Sequence, residues 1–347
     1  MKKTRIYTAN DLETPTVQTD IKNTVLAGET IIFPTETVYG IGAYALSEEG
    51  VKNIYKVKGR PSDNPLIIHL ANIKDLSAYV YIDQPYVKNL MKAFWPGPLT
   101  MVFRRKSNVP DLITGGLNTV GVRIPLHPVA KKVLAIADVP ICAPSANISG
   151  RPSSTLFEHV LEDFKDKVDI IVNGGKSDVG LESTVLDVTN AHPVILRPGV
   201  ITQSMIENVT LTPVKVSSEA IKDLTPQAPG MKYKHYAPRA LLTVVEGKES
   251  SVIDYINAQI KSHQAKNHKV GVVATEETMH HFTTPHTFNI GKKDNESTIA
   301  SNLFIALRQM DQWQVDYIYS LSFHQTKYQE AIMNRLYKAA NNQVIKL

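Results

Sequence analysis

The sequence holds a single cysteine, Cys142, in 347 residues. A disulfide within the chain is therefore impossible, which fits a reducing compartment. No run approaches 18 apolar residues, so no membrane-spanning helix is expected. The opening MKKTRIYTANDLETPT has basic residues but no apolar segment behind them, and does not read as a secretory signal. These absences make the cytoplasm the expected location. Chemical signatures are also missing. There is no H-E-x-x-H and no paired C-x-x-C, so no protein-ligated metal is expected. There is no G-x-S-x-G elbow. GGKSDVG lacks the spacing of a phosphate loop, and Gly40-Ile41-Gly42 lacks the third glycine of a dinucleotide fingerprint. Neither sign of charge dominates: the net charge of +5 is too small by itself to argue for nucleic acid.

Apolar residues at 43% and charged residues at 20% describe a soluble globular chain long enough for two domains. Short apolar runs alternate with helix-like segments. Strands are expected at ETIIFPT, LIIHL, LTMVF, TVGVRIP, VPICAP and DIIV, with STVLDVT and PVILRPG as a turn-linked pair. Helices are expected over 47–57, 85–94, 127–137 and 155–164, the first with Ser47 near its start. The character changes near residue 212. A proline-rich stretch of about 28 residues follows, much longer than ordinary connections. Beyond it, strands at 241–246, 269–274, 286–290 and 315–320 alternate with helices near 250–263, 296–311 and 327–341, the pattern of a doubly wound α/β domain.

Polar clusters sit beside the apolar runs. Thr35, Glu36 and Thr37 follow the first strand, either at a ligand edge or in a helix-starting turn. In KGRPSDNP, Lys58 and Arg60 lie two apart. Pro61 disfavours a helical Arg60, so the pair is expected in extended chain, pointing one way. With Asn64 they suit a phosphate-bearing ligand; a solvated basic loop is the plainer alternative. PICAPSANISGRPSST brings Ser145, Asn147, Ser149 and Ser153 ahead of a helix, as an anion or sugar site or simply as its capping loop. No base lies near Ser145 to make it a nucleophile. Cys142 reads as a small buried hydrophobe. Arg123 and Arg197 end apolar strands and must each find an anion or solvent. His69, within LIIHL, reads by default as a satisfied core histidine. Together the clusters offer cations and small hydroxyls with almost no acidic partners, which suits a polyanion such as ATP, its Mg²⁺ carried by the phosphates.

The ordered series PTETVYGIGA, KGRPSDNPLIIHL, FWPGPLT, TVGVRIP, APSANISGRPS, STVLDV and ILRPG closely resembles the YrdC-like domain family. With APGMKYKHYAP and a C-terminal α/β region ending in AIMNRLYKAA, the chain is similar to that family's longer branch, the two-domain threonylcarbamoyl-AMP synthases. The resemblance implies an α/β fold: a YrdC-like twisted open mixed sheet with helices, plus a smaller Rossmann-like C-terminal domain. It implies a catalytic domain over 1–211, a linker or lid over 212–240 and the C-terminal domain over 241–347. The implied activity joins L-threonine, bicarbonate and ATP into L-threonylcarbamoyl-AMP and pyrophosphate. The product would pass to the tRNA threonylcarbamoyl transferase machinery, with weak tRNA contact and no membrane. The family's basic-polar tetrad matches Lys58, Arg60, Ser145 and Asn147. By the same matching, Arg60, Asn64, Thr119, Ser145, Ser153, Arg197 and Tyr236 would contact ATP. Thr37, His69, Arg123, Ala143 and Ser183 would hold threonine. The resemblance implies no metal ligand in the protein. The rival reading is a non-catalytic RNA-binding module using a basic concave surface, although no recognised RNA-binding signature is present.

Overall fold

The computed structural model describes residues 3–217, 235–324 and 327–347. The chain divides into two compact units, one made of 1–149, 154–178 and 182–233, the other of 150–153, 179–181 and 234–347.

The strands of the first unit are β1 (Arg5–Thr8), β2 (Ile31–Phe33), β3 (Gly40–Tyr44), β4 (Ile67–His69), β5 (Val80–Tyr81) and β6 (Leu99–Arg105). They continue with β7 (Thr119–Arg123), β8 (Ile141–Cys142), β9 (Ile170–Asn173), β10 (Thr184–Asp187), β11 (Val194–Arg197) and β12 (Lys215–Val216). In space they run β1-β9-β2-β3-β8-β4-β7-β6-β10-β11-β12, with β5 on the side of β6. The sheet is mixed: β4–β7 and β6–β10 are parallel, while β2–β3, β4–β8, β6–β7 and β10–β11 are antiparallel. Its helices are α1 (Pro15–Leu26), α2 (Glu48–Lys58), α3 (Val87–Phe94), α4 (Asp111–Thr114), α5 (Pro128–Ala137), α6 (Phe157–Phe164) and α7 (Gln203–Thr210). Local chemistry explains the ends of α2. Ser47 Oγ accepts from the Gly50 amide, and Glu48 and Glu49 sit in the first turn, where the helix dipole favours them. Gly59 closes the helix at φ 61, a left-handed conformation that glycine adopts at no steric cost.

Alternation along the strands separates two faces. One carries Ile41, Ile68, Met101, Phe103, Val122 and Leu186, packed with α2, α3, α6 and α7 through residues such as Ile54, Leu90, Phe164 and Ile206. The other is covered over β2, β8 and β9 by α1 and α5, where Ile21, Val25, Val133 and Leu134 meet Phe33, Ile141 and Val172. Farther along, over β4, β7, β6 and β10, this second face mixes polar side chains with a small apolar cluster of Val102, Val185 and Leu196.

The second unit holds β13 (Leu241–Glu246), β14 (Val270–Ala274), β15 (His286–Asn289), β16 (Tyr317–Leu321) and β17 (Val344–Lys346), with α8 (Glu249–Gln264), α9 (Glu296–Trp313) and α10 (Gln329–Ala339). Its sheet runs β15-β14-β16-β13-β17 with every pairing parallel. Val252, Ile256 and Ile260 of α8 pack on Val245, Val272 and Leu321.

The expected α/β architecture is present. The segments β1, α1, β3, β5, α4, α7, β12 and β17 are additions to it. One local expectation is corrected. Lys58 and Arg60 are not a side-by-side extended pair: Lys58 is the last residue of α2, and beyond Gly59 the Arg60 amide still bonds back to the Tyr55 carbonyl. Thr35 to Thr37 start no helix either; they lie in the loop between antiparallel β2 and β3.

Candidate active site

The polar half-face is organised by register. His69 stands opposite Arg123 across β4 and β7. Met101 faces Val122, which brings Thr100 beside Arg123. Thr100 pairs with Val185, and Val185 with Arg197. His69, Arg123, Thr100, Val185 and Arg197 thus form one row across five neighbouring strands, roughly 19 Å long at the usual strand spacing. Ser183 lies just before β10 on the same face. Thr119 and Gly121 sit below Arg123 on β7 and are partly exposed, whereas Val120 and Val122 between and beside them are buried. Thr119 and Gly121 are thus the partly exposed positions beside a row whose own members, His69, Thr100, Arg123, Val185 and Arg197, are buried.

Each charged side chain has a distinct anchorage. Arg123 is 4% exposed. Its Nε donates to the Gly97 carbonyl at 3.1 Å and its Nη1 to Thr37 Oγ1 at 2.7 Å. Its Nη2 approaches Glu36 Oε1 to 2.7 Å as an ion pair, out of hydrogen-bond alignment. Glu36 Oε2 accepts from the Leu126 and His127 amides. Burial acts to raise the Glu36 carboxyl, but Arg123 outweighs it and holds the group below the ordinary carboxylate range. Glu36 is thus an acidic partner, correcting the expectation of a site almost without one. Nothing local in the sequence joins it to Arg123; the β2–β3 loop reaches the end of β7 only in the folded chain.

His69 Nδ1 lies 3.2 Å from the Ile67 carbonyl. Burial, and then the neighbouring Arg123, press its pKa down to about 3, so the ring is neutral at physiological pH. Arg197 donates through Nε and Nη2 to the Ser183 carbonyl and through Nη2 to Ser183 Oγ, which also bonds Thr100 Oγ1 at 2.8 Å. Thr37 Oγ1 is further tied to Thr35 Oγ1 at 2.8 Å.

The Lys58 side chain is 2% exposed and does not dangle in a loop. Its Nζ donates to the carbonyls of Ser145 and Asn147, and its own carbonyl accepts from the Ser149 amide. The end of α2 is thereby stapled to the loop after β8. Within that loop Ser145 Oγ donates to Asn147 Oδ1 at 2.6 Å, and Ser145 bridges Gly40. Ala143 is buried, its amide bonded to the Ile67 carbonyl. Arg60 is half-buried and donates to the carbonyls of Asn64 and Pro65. Asn64 is 1% exposed, and its Oδ1 is buried with no hydrogen-bond partner. Bonds to backbone carbonyls help to hold these cations in place.

Two of the expected site residues belong to the second unit. Ser153 is fully buried in the short 150–153 segment. Tyr236, at φ 63, stacks on Phe304 with ring centroids 5.2 Å apart. Tyr233 and most of the linker fall outside the described residues. Cys142 is a buried free thiol, pushed up to about 12 by burial, as a structural rather than reactive cysteine should be.

A mixed sheet that gathers arginines, hydroxyls and a neutral imidazole on one half-face, followed by a parallel α/β unit, defines a two-unit α/β protein. Comparison with known proteins narrows this. Residues 23–199 match the family described as "Telomere recombination", and residues 201–341 match "Threonylcarbamoyl-AMP synthase, C-terminal domain". The chain is 44% identical over 322 residues to the threonylcarbamoyl-AMP synthase of Pyrococcus abyssi, covering 92% of this chain and 93% of that protein. It is 43% identical over 321 residues to the Bacillus subtilis protein of the same name, covering 92% and 91%. The solved structure of P. abyssi Sua5 complexed with L-threonine matches with a TM-score of 0.91 at 40% identity, over 99% of this chain and 100% of that one. The chain belongs to the threonylcarbamoyl-AMP synthase family.

Proposed function

We propose that the protein forms L-threonylcarbamoyl-AMP and pyrophosphate from L-threonine, bicarbonate and ATP. Family membership supports the reaction. The row from His69 to Arg197, flanked by the Lys58-stapled loop, is the observation that carries its assignment to this half-face. The threonine amine and bicarbonate condense to a carbamate with loss of water. The carbamate oxygen then attacks the α-phosphorus, the P–O bond to the β-phosphate breaks and pyrophosphate leaves. The nucleophile belongs to the substrate, so a nucleophilic side chain is not needed. Carbamate and triphosphate repel one another, and the protein's task is to neutralise and align them.

In this reading Lys58, Arg60, Ser145 and Asn147 form the catalytic group. Arg60 faces the phosphates. Lys58 fixes the loop that presents Ser145 and Asn147, beyond contributing its charge. Asn64 offers ATP an unpaired acceptor, with Thr119, Ser153, Arg197 and Tyr236 as further contacts. Thr37, His69, Arg123, Ala143 and Ser183 receive threonine. Glu36 trims the charge of Arg123, leaving a weakly positive seat for a zwitterion's carboxylate. Among the described residues no cluster of His, Cys, Asp or Glu could cage a metal ion. Mg²⁺ would arrive on the ATP phosphates and screen their charge there. We assign 1–211 to catalysis and 241–347 to a second domain. The linker 212–240, whose residues 218–234 lie outside the described ones, would close over the reactants and exclude water from the acyl-adenylate. The product would then pass to the enzymes that modify tRNA.

The decisive experiment incubates the protein with ATP, Mg²⁺, threonine and bicarbonate and follows pyrophosphate. Release should require both threonine and bicarbonate; release independent of threonine refutes the reading. Arg60→Ala should lower the rate about 100-fold while the chain stays folded, the scale of one lost transition-state donor. Chains ending at residue 211 should fold and lose synthesis; full activity in them would remove the lid.

A further inference from the structure

The second unit carries a cavity of about 350 Å³ that the proposed reaction does not use. Its place follows from the topology. β13 feeds α8, which crosses to β14, whereas β16 feeds α10, which crosses in the opposite direction to β17. With right-handed crossovers between parallel strands, the two helices depart from opposite faces of the sheet. β13 and β16 are neighbours. Their outgoing chains therefore part at their carboxyl ends, where open parallel sheets receive ligands. The cavity lies at that parting: Gly247 and Lys248 follow β13, Ser322 to His324 follow β16, and Thr275 follows β14.

Its walls and mouth differ in chemistry. Val245, Val252, Ile299, Leu321 and Phe323 line it and are all buried. At the mouth, Lys293 is engaged by Glu249, while Lys248 makes no ion pair. Lys248 is also the N-cap residue of the 16-residue α8, where its ammonium, a donor only, cannot cap the first-turn amides. The cavity thus joins an apolar interior to a lysine and the first-turn amides of a long helix. Its volume falls within the range of small-molecule sites.

We propose that this cavity binds a small organic phosphate of mononucleotide size. The phosphate lies against Lys248 and the first turn of α8, and the organic body lies against Leu321 and Phe323. The test titrates methyl-labelled full-length protein with AMP and, separately, with inorganic phosphate. AMP should shift the methyl signals of Val252, Ile299 and Leu321 saturably, and inorganic phosphate should do so at least tenfold more weakly. Lys248 is exposed, so Lys248→Glu should fold normally and weaken AMP at this site at least tenfold. Arg60→Ala, in the other unit, should leave these shifts intact. Absence of shifts at millimolar AMP, unchanged affinity in Lys248→Glu, or phosphate binding as tightly as AMP would each overturn the proposal.

Discussion

The two faces of the first unit's sheet are made by the same strands and have opposite chemistry. On one, Ile68, Phe103, Val120 and Val122 pack into a continuous apolar core. On the other, one residue along each strand, stand His69, Thr100, Gly121 and Arg123. The difference shows how a five-residue strand such as TVGVR can serve stability and chemistry together: its even and odd positions answer to different neighbours. It also makes the two faces separable by mutation. The largest stability effect should come from the packed side. Phe103→Ala should cost about 4 kcal/mol through lost burial and the cavity left behind. Turnover per folded molecule should stay near that of the parent, read by denaturant titration alongside pyrophosphate release. A loss of activity exceeding the loss of folded protein would mean that the faces are coupled.

Next comes the polar side's own structural debt. Glu36→Gln leaves Arg123 buried without its counter-charge, which should cost about 3 kcal/mol. Unlike Phe103→Ala, it should also raise the KM for threonine, because Thr37 and Arg123 share the disturbed contact. A stability loss with unchanged threonine KM would detach Glu36 from the substrate seat.

The reading of the sequence reached the architecture more readily than the site. Ser47 before two glutamates, and alternating apolar runs bounded by glycine and proline, act through neighbours in the chain, so they were visible there. β3 was not. Its Gly42 suppresses a strand signal, yet it is required: an added Cβ would come within 2.5 Å of the Ile141 side chain. The geometry of Lys58 and Arg60 is hidden in the sequence because Pro61 restrains only Arg60, while the left-handed cap at Gly59 keeps Lys58 inside the helix. The Glu36–Arg123 pair joins residues far apart in sequence. No local pattern announces such a partner; the pair forms where the β2–β3 loop meets the end of β7 in the folded chain.

A smaller, pH-dependent effect sharpens the comparison. His69 has a folded pKa of about 3, against an ordinary value of 6.5. Between those values the unfolded chain takes up a proton that the folded one refuses, so stability falls as pH falls through that window. Glu36 acts in the same direction at the acid end: its depressed carboxyl gives stability above the unfolded pKa, lost as pH drops through the folded one. His69→Gln should flatten the slope between pH 6 and 4, measured by urea titration at stepped pH. An unchanged slope would place the acid sensitivity elsewhere. The apolar-face variant Phe103→Ala should be offset equally at every pH.

The smallest stability effect should come from Gly121, and there the two faces should diverge most clearly. A Cβ at this partly exposed position would point onto the polar half-face, 3.1 Å from Thr100 Cγ2 and 3.4 Å from Ile67 Cγ1. The threonine methyl must give by a few tenths of an ångström, a modest cost. Against it, alanine relieves the conformational entropy that glycine forfeits in a strand, about 0.5–1 kcal/mol. The two terms nearly cancel, and Gly121→Ala should melt within a few degrees of the parent. Its methyl nonetheless raises the floor between Thr119 and Arg123, where nucleotide and amino acid are proposed to meet. Synthesis should therefore fall while stability does not, read as kcat/KM beside thermal melting. If activity and stability both survive, the reactants do not lie against this part of β7.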